Sequence, residues 1–214
     1  FKANIDNIAT LMVDDIRTDK ITLRREIAGS LERLELQNYV ARNGDSYSFL
    51  TDEEQDIAID IRNTPVDSAT IVQSIGQTIF SEIYPSKKYK YSKYDFAYDQ
   101  YIDETLVGAA QGGVRLRFVT VASDYYNVSE QKLIMDSQVN NEAIVLLSNE
   151  VQYFEELETA AKIRKYIKQK NVSQLPESIQ DIIRKRQAQA RTLEESAKAQ
   201  IDKAIVGGTF FIYG

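Results

Sequence analysis

The 214-residue chain contains no cysteine, no histidine and no tryptophan. Without cysteine there is no disulfide framework, which fits a reducing compartment. Without cysteine and histidine the usual zinc, haem and iron–sulfur ligands are gone, and so are Ser-His-Asp triads and Cys–His pairs. Carboxylate, lysine, tyrosine or serine chemistry remains, and a non-catalytic role is the expectation. Long apolar runs are also missing: Ala143–Leu147 is far too short to cross a bilayer, and no basic, apolar, small-residue leader opens the chain. A cytoplasmic location without a membrane partner is therefore expected. Phe1 stands where an initiator methionine would, so a piece of a longer protein is expected as well.

Charge is unevenly placed. Residues 1–60 carry 7 Lys plus Arg against 13 Asp plus Glu, whereas 61–135 hold 8 of each sign and 136–214 hold 11 of each. The net charge of −6 thus sits wholly in the first 60 residues.

Periodicity divides the chain into two parts. Ile5, Ile8, Met12 and Ile16 repeat at helical spacing, predicting a helix over residues 4–16. Thr22 is placed to cap a second helix striped by Leu23, Ile27, Leu31 and Leu34. Two strand-like runs flank Asn43-Gly44, a strong hairpin signal. Thr51 with Glu54 forms a capping box that opens a third helix, closed by Thr64-Pro65. Helix, turn, helix, hairpin is the core order of a winged helix, with the hairpin as its wing and a further helix expected before residue 1.

A further helix follows over 66–84, and Tyr84-Pro85-Ser86 breaks it. Residues 89–101 alternate aromatic and polar side chains as one strand would, with Tyr94, Phe96 and Tyr98 on one face. Val114–Val121 is strand-like, and Ala143–Leu147 suits a strand buried on both faces. Ser148 or Asn149 is placed to cap a helix reaching Lys170, with Val151, Phe154, Leu157 and Ala161 inward. From Pro176 to Val206 nothing breaks a helix of about 30 residues. Its apolar residues gather at the ends, predicting a helix packed by its ends. Gly207-Gly208 stops it before a last strand, Thr209–Tyr213. The expected class is α/β: a winged-helix-like module (1–64), a connecting helix and linker (65–88), and an α/β domain (89–214) with a mixed, partly parallel sheet and a long C-terminal helix.

Candidate sites are few. Lys87, Lys88, Tyr89, Lys90, Tyr91, Lys93 and Tyr94 form one basic, aromatic stretch. It could meet single-stranded nucleic acid by phosphate contact and stacking, or be an edge strand guarded by lysines and packed through its tyrosines. Arg24, Arg25 and Arg42 are the nucleic-acid candidates of the winged-helix module. There Glu26, Glu32 and Glu35 interleave, and an acidic module starts at a disadvantage on DNA. Asp95, Asp99, Asp103 and Glu104 could hold magnesium in a cryptic nuclease. None of the nine glycines precedes a lysine, so no phosphate loop is present. No catalytic, cofactor-binding or metal residue is assigned.

The run from Asn43 to Ile57, with its Phe49-Leu50-Thr51-Asp52-Glu53-Glu54-Gln55 helix start, resembles the large P-loop ATPase of BREX phage-defence systems (BrxC/PglY type). The resemblance is most specific over residues 31–62 and extends over most of the chain. It implies a cytosolic ATPase as parent, with ATP and Mg bound by residues outside this chain, and partners among the rest of that ATPase and other defence proteins. The leading functional expectation is accordingly an accessory region working by protein–protein contact or by coupling nucleotide state to partners. The alternative is a nucleic-acid-binding module, with DNA as partner, and the third is the nuclease.

Overall fold

The structure, a computed structural model, describes residues 2–15, 17–149 and 152–213. Ile16 and Val151, assigned to helix faces by periodicity, lie outside the described residues. The chain forms two units, residues 1–64 with 173–182, and residues 65–172 with 183–214.

In the first unit, α1 (Ile5–Met12) is shorter than its periodicity predicts. The chain turns out of the helix where the Asp15 side chain accepts the Arg17 N–H at 2.8 Å, an aspartate-built turn that competes with continued helix. The second helix, α2 (Lys20–Leu36), is capped by Asp19 and not by Thr22. Asp19 accepts the Ile21 N–H, and the Thr22 hydroxyl donates to the same carboxylate at 2.6 Å. These bonds hold the Asp19 carboxyl below the usual carboxylate range, that from Thr22 most strongly. Ala9, Ile27 and Leu31 are the buried centre, with Ile5, Ile8, Leu23 and Tyr47 against them.

The hairpin forms from β1 (Val40–Asn43) and β2 (Ser46–Phe49). Asn43 pairs with Ser46, so the two-residue turn is Gly44-Asp45, one residue later than Asn43-Gly44. Gly44 supplies the positive φ (+64°) that such a turn needs at its first position. The capping box forms as predicted, with Thr51 and Glu54 exchanging side-chain and backbone bonds at the start of α3 (Asp52–Arg62).

The second unit opens with α4 (Ser68–Thr78), whose Ile71 and Ile75 are buried in line with Ile79. A π-helical turn (Ile79–Ile83) widens its end. A sheet of six strands follows: β3 (Lys88–Tyr91), β4 (Tyr94–Ile102), β5 (Thr105–Leu106), β6 (Val114–Val119), β7 (Glu142–Leu146) and β8 (Thr209–Phe211). The order is β3-β4-β6-β7-β8, with β5 beside β4. The pairs β4–β6 and β6–β7 are parallel; β3–β4, β4–β5 and β7–β8 are antiparallel. The mixed, partly parallel sheet expected from the sequence is thus present. The predicted single strand over 89–101 is instead a hairpin turning at Ser92-Lys93, with Ser92 at φ +57°. Alternation alone could not reveal this, because a two-residue turn keeps aromatic residues in phase on both arms.

The helices α5 (Glu130–Asn140), α6 (Tyr153–Lys168) and α7 (Glu177–Val206) complete the unit, residues 177–182 of α7 grouping with the first. α5 escapes the sequence reading because only Leu133 and Ser137 are buried on it. α6 begins at Tyr153 after Gln152, not at a Ser148 or Asn149 cap, and its inward stripe is Tyr153, Leu157, Ala160, Ile163 and Tyr166. Phe154 and Ala161 flank that stripe half-buried. α7 has the predicted extent but is not packed by its ends alone. Ala190 and Ala197, in its polar middle, are fully buried. Alanine lets the backbone approach closely, so a stretch with little hydrophobic mass still packs.

β7 is buried on both faces, as predicted. Val145 and Leu147 join the core formed with Ile71, Ile75, Ile79, Phe80, Phe118, Leu157 and Ile201. Ile144 faces the other way, toward Val119, Leu133 and Phe211. On that thinner side an ion pair supplements aliphatic packing. Arg117 contacts Glu142 at 2.8 Å, with side chains 11 % and 0 % exposed, and its guanidinium stands 5.6 Å from the rings of both Tyr101 and Tyr125. Gly113 is dictated by close approach, since a Cβ there would fall 2.0 Å from the carbonyl oxygen of Ala97. Gly112-Gly113 therefore serves strand packing.

Glu142→Ala leaves Arg117 charged and buried without its partner, a change that typically costs about 3–5 kcal/mol. Urea unfolding is expected to show a loss of that size. Replacing the pair together, Arg117→Met with Glu142→Leu, is expected to recover most of it.

Candidate interaction surfaces at the sheet edges

The acidic residues of β4 are already engaged. Asp103, at φ +48° in the turn to β5, is buried and accepts the Thr120 N–H at 2.7 Å and the Thr120 hydroxyl at 2.9 Å. It bolts the end of β4 to the end of β6. Burial lifts its carboxyl above the usual carboxylate range, against the lowering effect of those two bonds. Asp99 accepts the backbone N–H groups of Gln111 and Gly112 and so shapes the loop into β6. Glu104 accepts the Ser123 hydroxyl at 2.9 Å, and Asp95 lies 3.9 Å from Lys88.

Asp103 and Glu104 line a cleft of about 460 Å³ with Ser68, Gln73, Ser123 and Asp124, at the C-terminal ends of β4 and β6. α/β sheets commonly bind ligands at that position. Among the described residues, however, no three acidic side chains are grouped to hold a metal ion. Asp99, Asp103 and Glu104 each serve the backbone or a neighbouring side chain.

The three candidate arginines lie in the first unit, Arg24 and Arg25 on α2 and Arg42 on β1. Arg24 pairs with Asp6 at 2.9 Å. Arg42 donates to the Gly44 carbonyl at 2.9 Å and lies over Tyr47. Arg25 is exposed on α2.

Lys87, Lys88, Lys90, Lys93, Tyr89 and Tyr91 are brought together on the β3–β4 hairpin. Among the described residues β3 pairs with β4 alone and is an edge strand. Its tyrosines are not packed, contrary to the edge-strand reading. Tyr89 opposes Phe96 and Tyr91 opposes Tyr94, and directly opposed residues share a face. These four rings are 53–65 % exposed. Lys88 and Lys90, at alternate positions, take the other face. The aromatic face continues along β4 to Tyr98 and Ile102, which are buried. Tyr98 is covered because Tyr84, closing the π-helical turn, lies 6.2 Å away and Ser86 accepts the Tyr98 hydroxyl. Beyond that point the sheet runs on without a helix over it. Lysine alternation made the strand legible, but only the register shows all four rings on one uncovered face.

The opposite edge is chemically different. Among the described residues β8 pairs with β7 alone, and residues 204–213 carry no charge. Phe210, Ile212 and Tyr213 are 57–70 % exposed. The Tyr213 N–H donates to Ser137 of α5 at 3.1 Å, placing this segment beside a helix whose Met135 and Val139 are also exposed. The sequence reading passed over this edge, although an uncharged, proline-free terminal strand is a recognisable signal.

Asp103→Asn is expected to keep or raise stability at pH 7. Asparagine suits a positive φ and carries no charge to desolvate. A raised carboxyl pKa gives stability that is present below the ordinary carboxylate value and lost as pH rises through the folded value. The advantage of the Asn variant should therefore shrink as pH falls toward that range, measured by urea midpoints. Asp103→Ala, which strands the Thr120 donors, is expected to lose about 1–3 kcal/mol.

No solved structure matches the chain. Residues 64–214 match the family described as the BREX ATP-binding protein BrxC 4th domain with six-stranded beta sheet. The match covers the whole sheet-bearing unit up to Gly214, whereas the sequence resemblance is most specific over 31–62, so the two rest on different residues. With the six strands in place and most of its length matched, the chain belongs to the family of the fourth domain of the BREX ATP-binding protein BrxC.

Proposed function

We propose that this accessory region of a BREX ATPase is non-catalytic and works in the cytoplasm by protein–protein contact, coupling the nucleotide state of the parent to a partner. The observation that carries the reading is the β8 edge. Edge strands of folded proteins are normally blunted by charge, proline or a covering element. β3 carries lysines at alternate positions, whereas β8 and the residues after it carry none. An uncharged edge with Phe210, Ile212 and Tyr213 exposed suits addition of a partner's strand, in which main-chain bonds give affinity and side-chain pockets give choice. The occupant is a strand of the parent ATPase or of another BREX protein. The order α1, α2, hairpin, α3 supports a winged-helix-like reading of the first unit, and its net charge of −6 over residues 1–60 favours protein over DNA as what that unit meets.

Catalysis is not part of this reading. The phosphate-loop pattern is absent from the sequence, so ATP and Mg belong to other residues of the parent.

Phe210→Lys with Ile212→Lys, introduced in the full-length ATPase, is expected to abolish co-purification with the BREX protein it normally binds and to abolish phage protection. Both positions are exposed, so the melting temperature of the 214-residue chain should stay within about 2 °C of the parent's. Unchanged assembly and protection in the double variant would sink the proposal. The isolated chain is expected to hydrolyse no ATP.

A further inference from the structure

We infer that the bare aromatic face of the β3–β4 hairpin is a binding site for single-stranded nucleic acid, distinct from the protein-contact edge at β8. Tyr89 and Phe96 form one cross-strand rung and Tyr91 and Tyr94 the next. Residues two apart on a strand lie about 6.7 Å from each other, close to the stride of an extended single strand whose bases have come apart. Each rung thus offers a ring surface to one base, and stacking of that kind is tolerant of sequence.

The charge is placed to match. Lys87, Lys88, Lys90 and Lys93 face a single acidic residue, Asp95, within residues 87–96, a local +3 in a chain of net −6. The Lys88–Asp95 contact is long, 3.9 Å, and both groups are largely exposed, so it holds Lys88 weakly. Among the described residues no strand lies on the outer side of β3. The stems of Lys88 and Lys90 can therefore curl round that open edge and bring their ammonium groups beside a phosphate chain following it. Lys93, at the turn, already has its Nζ 5.5 Å from the Tyr94 ring, on the aromatic side.

Two alternatives fit less well. A duplex hides its base faces, so four rings on a flat hairpin gain nothing from it. An acidic protein helix would want an aliphatic floor, such as the exposed Ile212, Met135 and Val139 offer beside β8. The exposed hairpin face is entirely aromatic.

Titrating the 214-residue chain against labelled oligo(dT) and a duplex of equal length, by fluorescence anisotropy across a salt series, decides the matter. The single strand is expected to bind more tightly, and to weaken as salt rises. Tyr91→Ser with Phe96→Ser is expected to reduce affinity about ten-fold or more. Lys87→Gln, Lys88→Gln and Lys90→Gln together are expected to lower the slope of log K against log salt by about 2. Far-ultraviolet circular dichroism melts establish that each variant is folded, and the lysine variant carries the test if the aromatic one is not. Absence of single-strand binding at about 50 mM salt overturns the inference. Equal or stronger binding of the duplex, or full competition by poly-glutamate at matched charge, overturns it in favour of a merely electrostatic or acidic-protein surface.

Discussion

Three parallel strands set the terms for the second unit. β4, β6 and β7 are central, and parallel strands are stable only when both faces are covered. One face is roofed by α4, its π-helical turn, α6 and α7 through a single hydrophobic core. The other has α5 and the short helical turn bearing Tyr125 and Tyr126. With less apolar mass there, the buried Arg117–Glu142 pair and the rings of Tyr101 and Tyr125 occupy part of the interface. The closing residues obey the same constraint. Asp103 ties the ends of β4 and β6, Asp99 shapes the loop between them, and Gly113 permits their backbones to meet.

The two surfaces proposed to make contacts lie where this covering stops. At one end of the sheet the helical roof ends at Tyr84, and β4 continues past it into the hairpin. At the other, β8 closes the sheet with an uncharged strand. The edges differ in charge: lysine-guarded at β3, uncharged at β8 and the residues that follow it.

Much of this architecture is legible in the residues. The capping box at Thr51 and Glu54, the buried β7 run and the uninterrupted span of α7 follow from local rules that tertiary packing does not override. The errors have equally local causes. Asp19 outcompetes Thr22 as a cap because its carboxylate accepts from both Ile21 and Thr22. The 89–101 alternation conceals a turn because an even-numbered reversal preserves phase. α5 went unseen because its exposed Ile134, Met135 and Val139 blur the apolar stripe. The alanines of α7 carry too little hydrophobicity to announce the burial of Ala190 and Ala197.

Composition, and spacing over a few residues, establish which side-chain chemistries are missing, where charge accumulates and which segments become helices or strands. Packing between distant segments settles which ionisable groups are spent internally and which aromatic residues stay bare. Asp99 and Asp103 read as candidate ligands until strand pairing set them against Gly112 and Thr120. Tyr89, Tyr91, Tyr94 and Phe96 share a face only because of the register of β3 on β4. Pairing register and the reach of a covering helix are long-range quantities, fixed by contacts between segments far apart in the chain, and no local pattern encodes where a roof ends.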